Sequence, residues 1–445
     1  MRVLDEINSE TLIICKDSFK DKVLNLHKLL PIKFMKLKEF REKYYFSYEE
    51  DAIRYLSKKM GLKYNVAKMY LDNLIYIEDK EYGCDKLDTL VKIKKWLDEE
   101  GLLIYNDDFK RYIKDINIVI YDIRLNEFDK KMLHGLNYKI IDREFNNYEH
   151  KIYAFNTMEE EVEYIANSIC NLIDTGVDIN KIKLANINSD YYNTIERIFT
   201  LFNIKVNIPY KRKLSSYKIV RQFIEIARDK SIKDAIFEVD KNDEMYPELL
   251  KVFNKYMIYD DKELLKYKLE NTEMVSEKYL NSIEIIDYLD YISEDDEYVF
   301  MMGFNDGVVP NSYKDIEYIT DSIRECVGIN LVSDENKYLR EDIINNLKDI
   351  KNLVITYKKS DNKKSYYPST MCSYFEVIEG NTKYNDSYSE IYNKIKLMRG
   401  YDKYLRYGVK NVDFDVLNNN FKIEYQSYSN KYSGISRIQD GLTLS

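Results

Sequence analysis

Short apolar runs alternate with amphipathic stretches along most of the chain. Leu12-Ile13-Ile14-Cys15 reads as an opening strand, and a helix is expected over Ser18–Leu30. From about residue 40 to 115 the spacing becomes helical, as in Ala52-Tyr55-Leu56-Lys59 and Leu90-Ile93-Lys94-Leu97, with Gly61 and Gly101 where helices would stop. Ile116–Tyr121 (INIVIY) then returns to a continuous apolar strand. The clearest unit begins at Ile152. IYAF reads as a strand, and Thr157 stands three residues before Glu160 as a capping box. Val162, Ile165, Ala166, Ile169 and Ile173 follow at helical spacing, with Gly176 just past the end. A strand at Ile182–Ile187, a helix marked by Ile195, Ile198, Phe199 and Phe202, and a strand at Ile204–Ile208 complete it. Strand–helix–strand–helix–strand demands parallel pairing, and so a doubly wound sheet.

This pattern predicts three regions. Residues 1–150 form a reduced first α/β domain carrying the helical insertion at about 40–115. Residues 151–365 form a second, whose sheet resumes at Ile283–Ile286, Val299–Phe304 and Leu353–Tyr357 after a short polar helical insertion at about 230–278. Residues 366–445 form a connector with a helix near Tyr388–Leu405.

At 445 residues the chain can bury several cores, and 45% hydrophobic with 33% charged residues marks a folded protein. A net charge of −9 argues against a generally basic nucleic-acid-coating protein, but leaves room for a local basic channel. The 43 tyrosines accompany heavy use of Lys, Ile and Asn, a usage that resembles AT-rich codon bias, and are no stacking signal by themselves. No stretch is apolar enough for a membrane span, and Met1–Asp5 does not open a signal peptide. Cys15, Cys84, Cys170, Cys326 and Cys372 are scattered, and His27, His134 and His150 stand far apart, so neither a disulfide framework nor a metal centre is expected. A cytoplasmic location follows from that cysteine usage.

Tyr298–Pro310, YVFMMGFNDGVVP, is the most informative stretch. An apolar strand exits through Asn305-Asp306-Gly307, a turn signal, and Pro310 starts a new path. Loops at the carboxyl ends of strands are where doubly wound folds bind ligands. The segment resembles the "G-x-N-x-G-x-x-P" motif in the second motor domain of UvrD-like helicases, on Gly303, Asn305, Gly307 and Pro310, with Asp306 inside the same loop. Its form is similar to the degenerate version in the AddB-type subunit of bacterial helicase–nucleases. Likewise EEEVEYIANSI, Glu159–Ile169, resembles the "E-x-E-x-x-x-I-A-x-x-I" entry to that domain. The resemblance spans about Ile152–Ser369 and extends weakly over residues 1–150.

Motor chemistry is missing. None of the 13 glycines is followed by lysine, so no phosphate-cradling Walker A loop exists. INIVIY ends in Tyr121-Asp122-Ile123-Arg124 rather than paired acids, and Asp122 is more simply a capping or solvated aspartate. Aligned on the last core strand, the position of the family's arginine finger holds Asp349, which would repel a γ-phosphate. IEIIDY, Ile283–Tyr288, replaces the family's coupling segment. Nuclease parts are absent too. Asp413 and Asp415 in NVDFDVL alternate as if on a short strand, without a lysine-bearing partner, and the family's four-cysteine iron–sulfur staple has no counterpart.

The resemblance therefore implies two RecA-like parallel-sheet domains in UvrD-like architecture, with no motor or nuclease activity in this chain. It implies a non-motor subunit that binds single- or double-stranded DNA and docks an AddA-type UvrD-like helicase during double-strand-break processing and recombination. ATP, Mg²⁺ and an iron–sulfur cluster would then belong to the partner or to a further domain. Leu442–Ser445, LTLS, resembles the run that opens the family's nuclease domain. Two basic runs are DNA-binding candidates: Lys211, Arg212 and Lys213, and Lys358, Lys359, Lys363 and Lys364 followed by Tyr366-Tyr367-Pro368. Lysine with neighbouring aromatics can hold a single strand without reading sequence, and a solvated lysine-rich loop is the plain alternative. Arg324 and Arg340 fit helix-surface pairing with Glu325, Glu341 and Asp342. Two other functions stay open: the N-terminal scaffold of a PD-(D/E)XK exonuclease whose catalytic domain follows Ser445, and an unrelated doubly wound nucleotide-binding enzyme.

Overall fold

The computed structural model describes residues 11–26, 32–275, 278–361, 364–380, 388–410 and 413–421. The expectations at His27, Lys363 and Leu442–Ser445 lie outside these residues, as does the end of the first helix, described as Asp17–Leu26. The chain is α/β with parallel sheets and divides into two compact units. One gathers Met1–Phe145, Pro209–Glu277 and Ser312–Glu341; the other gathers Asn146–Ile208, Lys278–Asn311 and Asp342–Ser445.

The first unit holds a four-stranded parallel sheet in the order Lys33–Met35, Thr11–Ile14, Asn117–Tyr121, Tyr138–Ile141. Between its strands, Glu50–Met60, Tyr64–Asn73 and Asp85–Glu99 are the main helices of the expected insertion. Gly61 closes the first of these in the left-handed conformation that glycine adopts without penalty. Their core, from Phe46 through Leu56, Leu71 and Leu90 to Leu103, also takes in Leu264, Ile319, Ile323 and Val327. The later insertion therefore shares a hydrophobic core with the earlier one. It starts at Pro209, well before the polar pattern at about 230.

The second unit is built on parallel strands in the order Glu376–Glu379, Lys151–Thr157, Asn352–Asp361, Tyr298–Met301, Ile182–Ala185, Ile283–Ile286, Val206–Asn207. All six strands expected there from sequence lie in this one sheet. Their limits differ. Tyr298–Met301 leaves the ladder three residues before Phe304, because Gly303 turns the chain at φ +63°. Asn352–Asp361 runs on past Tyr357 and folds back through an antiparallel pairing with Lys364–Ser365. Ile204–Ile208 is reduced to Val206–Asn207 at the sheet edge. Glu376–Glu379 adds an opposite edge strand that its two terminal acids disguised.

The final expected strand is a helix. Residues 414–421 are helical, and Asp413 is held at 2.7 Å by Lys396, which also binds Glu163 at 2.7 Å. Asp415 lies at the surface beside Lys410. The apolar Phe414 and Leu417 are three residues apart and pack on Leu397 of helix Glu390–Tyr407, a 3.6-residue period read as alternation.

Candidate functional site

Strands Lys151–Thr157 and Ile182–Ala185 are consecutive in sequence but separated in the sheet by Asn352–Asp361 and Tyr298–Met301. The helix joining them, Met158–Asp174, must cross those two strands. Its first turn therefore starts over their carboxyl ends. Thr157 caps that turn by accepting the Glu160 amide at 3.1 Å, and Glu160 in return accepts the Asn156 amide. One turn in, Glu161 points at the sheet and is fully buried.

Glu161 gathers three donors. Its Oε1 accepts the Gly303 amide at 2.9 Å and the Thr356 hydroxyl at 2.6 Å, and its Oε2 accepts the Tyr191 hydroxyl at 2.6 Å. The two segments that resemble helicase motifs thus meet through one carboxylate. Burial pushes the Glu161 carboxyl up from the ordinary range, while the three donors and the Lys358 charge oppose that rise. The helix N-terminus also favours an anion there. Tyr191 sits one turn into helix Ser189–Leu201, and burial beside Glu161 raises its phenol well above normal.

Lys358 completes the cluster. It is 3% exposed, and its ammonium lies 4.2 Å from the centroid of Tyr191 and 4.6 Å from that of Tyr366. Two aromatic faces replace part of its lost hydration. Burial lowers its pKa, and Glu161, Asp361 and Asp190 pull it back up. This lysine was expected at the surface as a DNA contact. The structure buries it between the rings of Tyr191 and Tyr366, two residues after Thr356 on the same strand.

The loop after Gly303 is pinned to the same strand end. Asn305 is buried and donates through Nδ2 to the carbonyls of Lys358 at 2.8 Å and Tyr367 at 3.0 Å. The Asp306 amide donates to Tyr367 O, and Ser369 N donates to Phe304 O. From the neighbouring strand, Asn186 adopts φ +59° and donates to the carbonyls of Met302 and Gly303. Gly303 has no room for a side chain, since a Cβ would stand 3.0 Å from the Tyr191 hydroxyl oxygen. Asp306 and Gly307 are exposed at the tip, Gly307 with φ +74°, and Pro310 is buried.

The remaining candidates are dispersed. Lys359 is engaged by both carboxylate oxygens of Glu379 at 2.8 Å. Lys364 and Tyr367 are exposed, and Tyr366 is partly buried under Lys358 and Lys364. Lys211, Arg212 and Lys213 form an exposed strand antiparallel to Glu273–Val275 in the other unit, with Lys211 at 3.5 Å from Glu273. Arg324 pairs with Glu317 at 2.9 Å and Asp321 at 3.4 Å, and donates to two backbone carbonyls, not to Glu325. Asp349 accepts from the Asn146 amide and side chain. Among the described residues no group of His, Cys, Asp and Glu is arranged to hold a metal.

The helicase likeness includes Glu161 as the second acid of its entry motif without giving it a role, and Tyr191, Asn186 and Thr356 lie outside both motifs. A signal for Glu161 was available: it stands three residues after Met158 and four before Ile165, an acid inside an apolar stripe. No protein-family model matches the chain, and no curated protein matches it.

Proposed function

We propose that this chain is a non-motor, helicase-like protein that binds DNA and docks an ATP-driven UvrD-like partner in double-strand-break processing. The observation that carries the reading is the meeting of Glu161 and Gly303. Two segments, chosen for their likeness to one helicase domain, are joined by a direct hydrogen bond at the carboxyl edge of a parallel sheet. In this reading both halves are RecA-like, and translocation is supplied by the partner. The sequence lacks the glycine–lysine step of a phosphate loop, and Asp349, at the finger position, is occupied with Asn146.

Two titrations of the purified protein test this. A labelled single-stranded oligonucleotide at low salt should bind in a salt-dependent way, and Mg-ATP should give no stoichiometric heat in calorimetry. Tight ATP binding would overturn the non-motor reading. A lack of salt-dependent DNA binding would remove DNA contact and leave partner docking alone.

A further inference from the structure

Successive residues of an extended segment face opposite sides. Tyr366 uses that alternation to face inward, over the buried Lys358. Tyr367 therefore faces outward, and its side chain is among the most exposed aromatics of the unit, at 76%. A lone exposed aromatic is ordinary on a protein surface. This one differs in how its backbone is held. Its carbonyl accepts from both the Asp306 amide and Asn305 Nδ2, the preceding amide donates to Lys359 O, and Pro368 bridges to Asn305. Asn305 is itself buried and fixed to Lys358, so the ring stands on a scaffold fixed before any ligand arrives.

We propose that Tyr367 is a stacking platform for an unstacked base of a single-stranded nucleic acid. The inference rests on the DNA-binding reading above and deepens it by choosing the site. A preordered phenol ring offers a π-face with little ordering cost, and every base has a face to stack. Lys359 contributes little, because Glu379 already engages it.

The test uses the full chain and a fluorescent oligo-dT of about 16 nucleotides, the upper range of a single-strand site. Tyr367→Ala should weaken binding about five- to a hundred-fold, and Tyr367→Phe should stay near wild type. An oligonucleotide of abasic sugar–phosphate units should not distinguish Tyr367→Ala from wild type. Because the ring is exposed, neither variant should alter the unfolding midpoint. Equal oligo-dT affinity of Tyr367→Ala and wild type would overturn the stacking site while leaving DNA contact intact. Absence of any oligo-dT binding by the wild type would overturn both.

Discussion

Glu161 accepts the backbone amide of Gly303 at 2.9 Å, although 142 residues separate them in the chain. The bond exists because the helix carrying Glu161 must cross the strand that leads to Gly303. Topology brings the two together. Around it, Thr356 and Tyr191 supply the other donors and Lys358 the opposing charge, so the carboxylate ties two strands and two helices at one edge of the sheet.

Removing that carboxylate should be costly. Glu161→Ala leaves three buried donors and one buried ammonium uncompensated, and we expect a loss of about 3–5 kcal/mol in urea unfolding. Lys358→Met should cost less, because the three donors still satisfy Glu161. The double variant should lose less than the sum of the singles, by about 0.5–3 kcal/mol. Strict additivity would show that Lys358 does not balance Glu161.

Gly303 is constrained twice. At φ +63° any side chain is strained, and a Cβ would crowd the Tyr191 hydroxyl at 3.0 Å. Gly303→Ala should destabilise by about 1–3 kcal/mol from backbone strain, with the crowding added to it. In a Tyr191→Phe background the same change should cost less, since the crowding oxygen is gone. An identical cost in both backgrounds would show that the hydroxyl oxygen adds nothing to the strain and to the crowding by the ring carbons at 3.1 and 3.3 Å.

Much of the second unit was legible because its strands are buried on both faces and read as unbroken apolar runs, Val299–Met301 above all. Elements that depend on polar groups were not. Glu376–Glu379 is an edge strand whose acids face solvent, and residues 413–421 carry too few apolar positions to separate a period of two from 3.6. At the site, the loop declared itself through Asn, Gly and Pro, whereas Lys358 looked like part of a solvated basic run. Its burial depends on Tyr191 and Glu161, which local sequence could not place beside it. Nor could local pattern reveal that the segment from Pro209 to Glu277 packs with the earlier helices, since a core such as Leu90 with Leu264 is set by long-range contact.

Acid should weaken the second unit through His150. Its ring faces the carbonyls of Leu347 and Ile350, while Nε2 is buried with no hydrogen-bond partner among the described residues. Burial holds the pKa below its ordinary value, and Lys348 pushes in the same direction. The unfolded chain then binds the proton more readily than the native one. Stability from the neutral ring is complete above about pH 6.5 and falls as pH drops through the lowered native pKa. Relative to His150→Gln, wild type should lose up to about 1.4 kcal/mol per pH unit in that range. Parallel pH profiles for the two proteins would exclude His150 as the source.

Salt dependence should separate the lysines that sequence grouped together. A lysine that contacts a single-stranded phosphate contributes about 0.7 to the slope of log K against log salt. Lys364→Ala should therefore lower the slope by about 0.7 with the unfolding midpoint unchanged, because its side chain is exposed. Lys358→Ala should do the reverse: its ammonium is buried between Tyr191 and Tyr366, so stability falls while the slope of the folded fraction holds. Replacing Lys211, Arg212 and Lys213 together by alanine should reduce the slope by at most about 2, and only if that ribbon also touches the strand. If the two surfaces act separately, the reductions should add within about 0.5 kcal/mol in binding free energy at any fixed salt concentration. A slope that falls with Lys358→Ala in fully folded protein would mean that its ammonium reaches the phosphates after all, and that Tyr366 moves aside to let it do so.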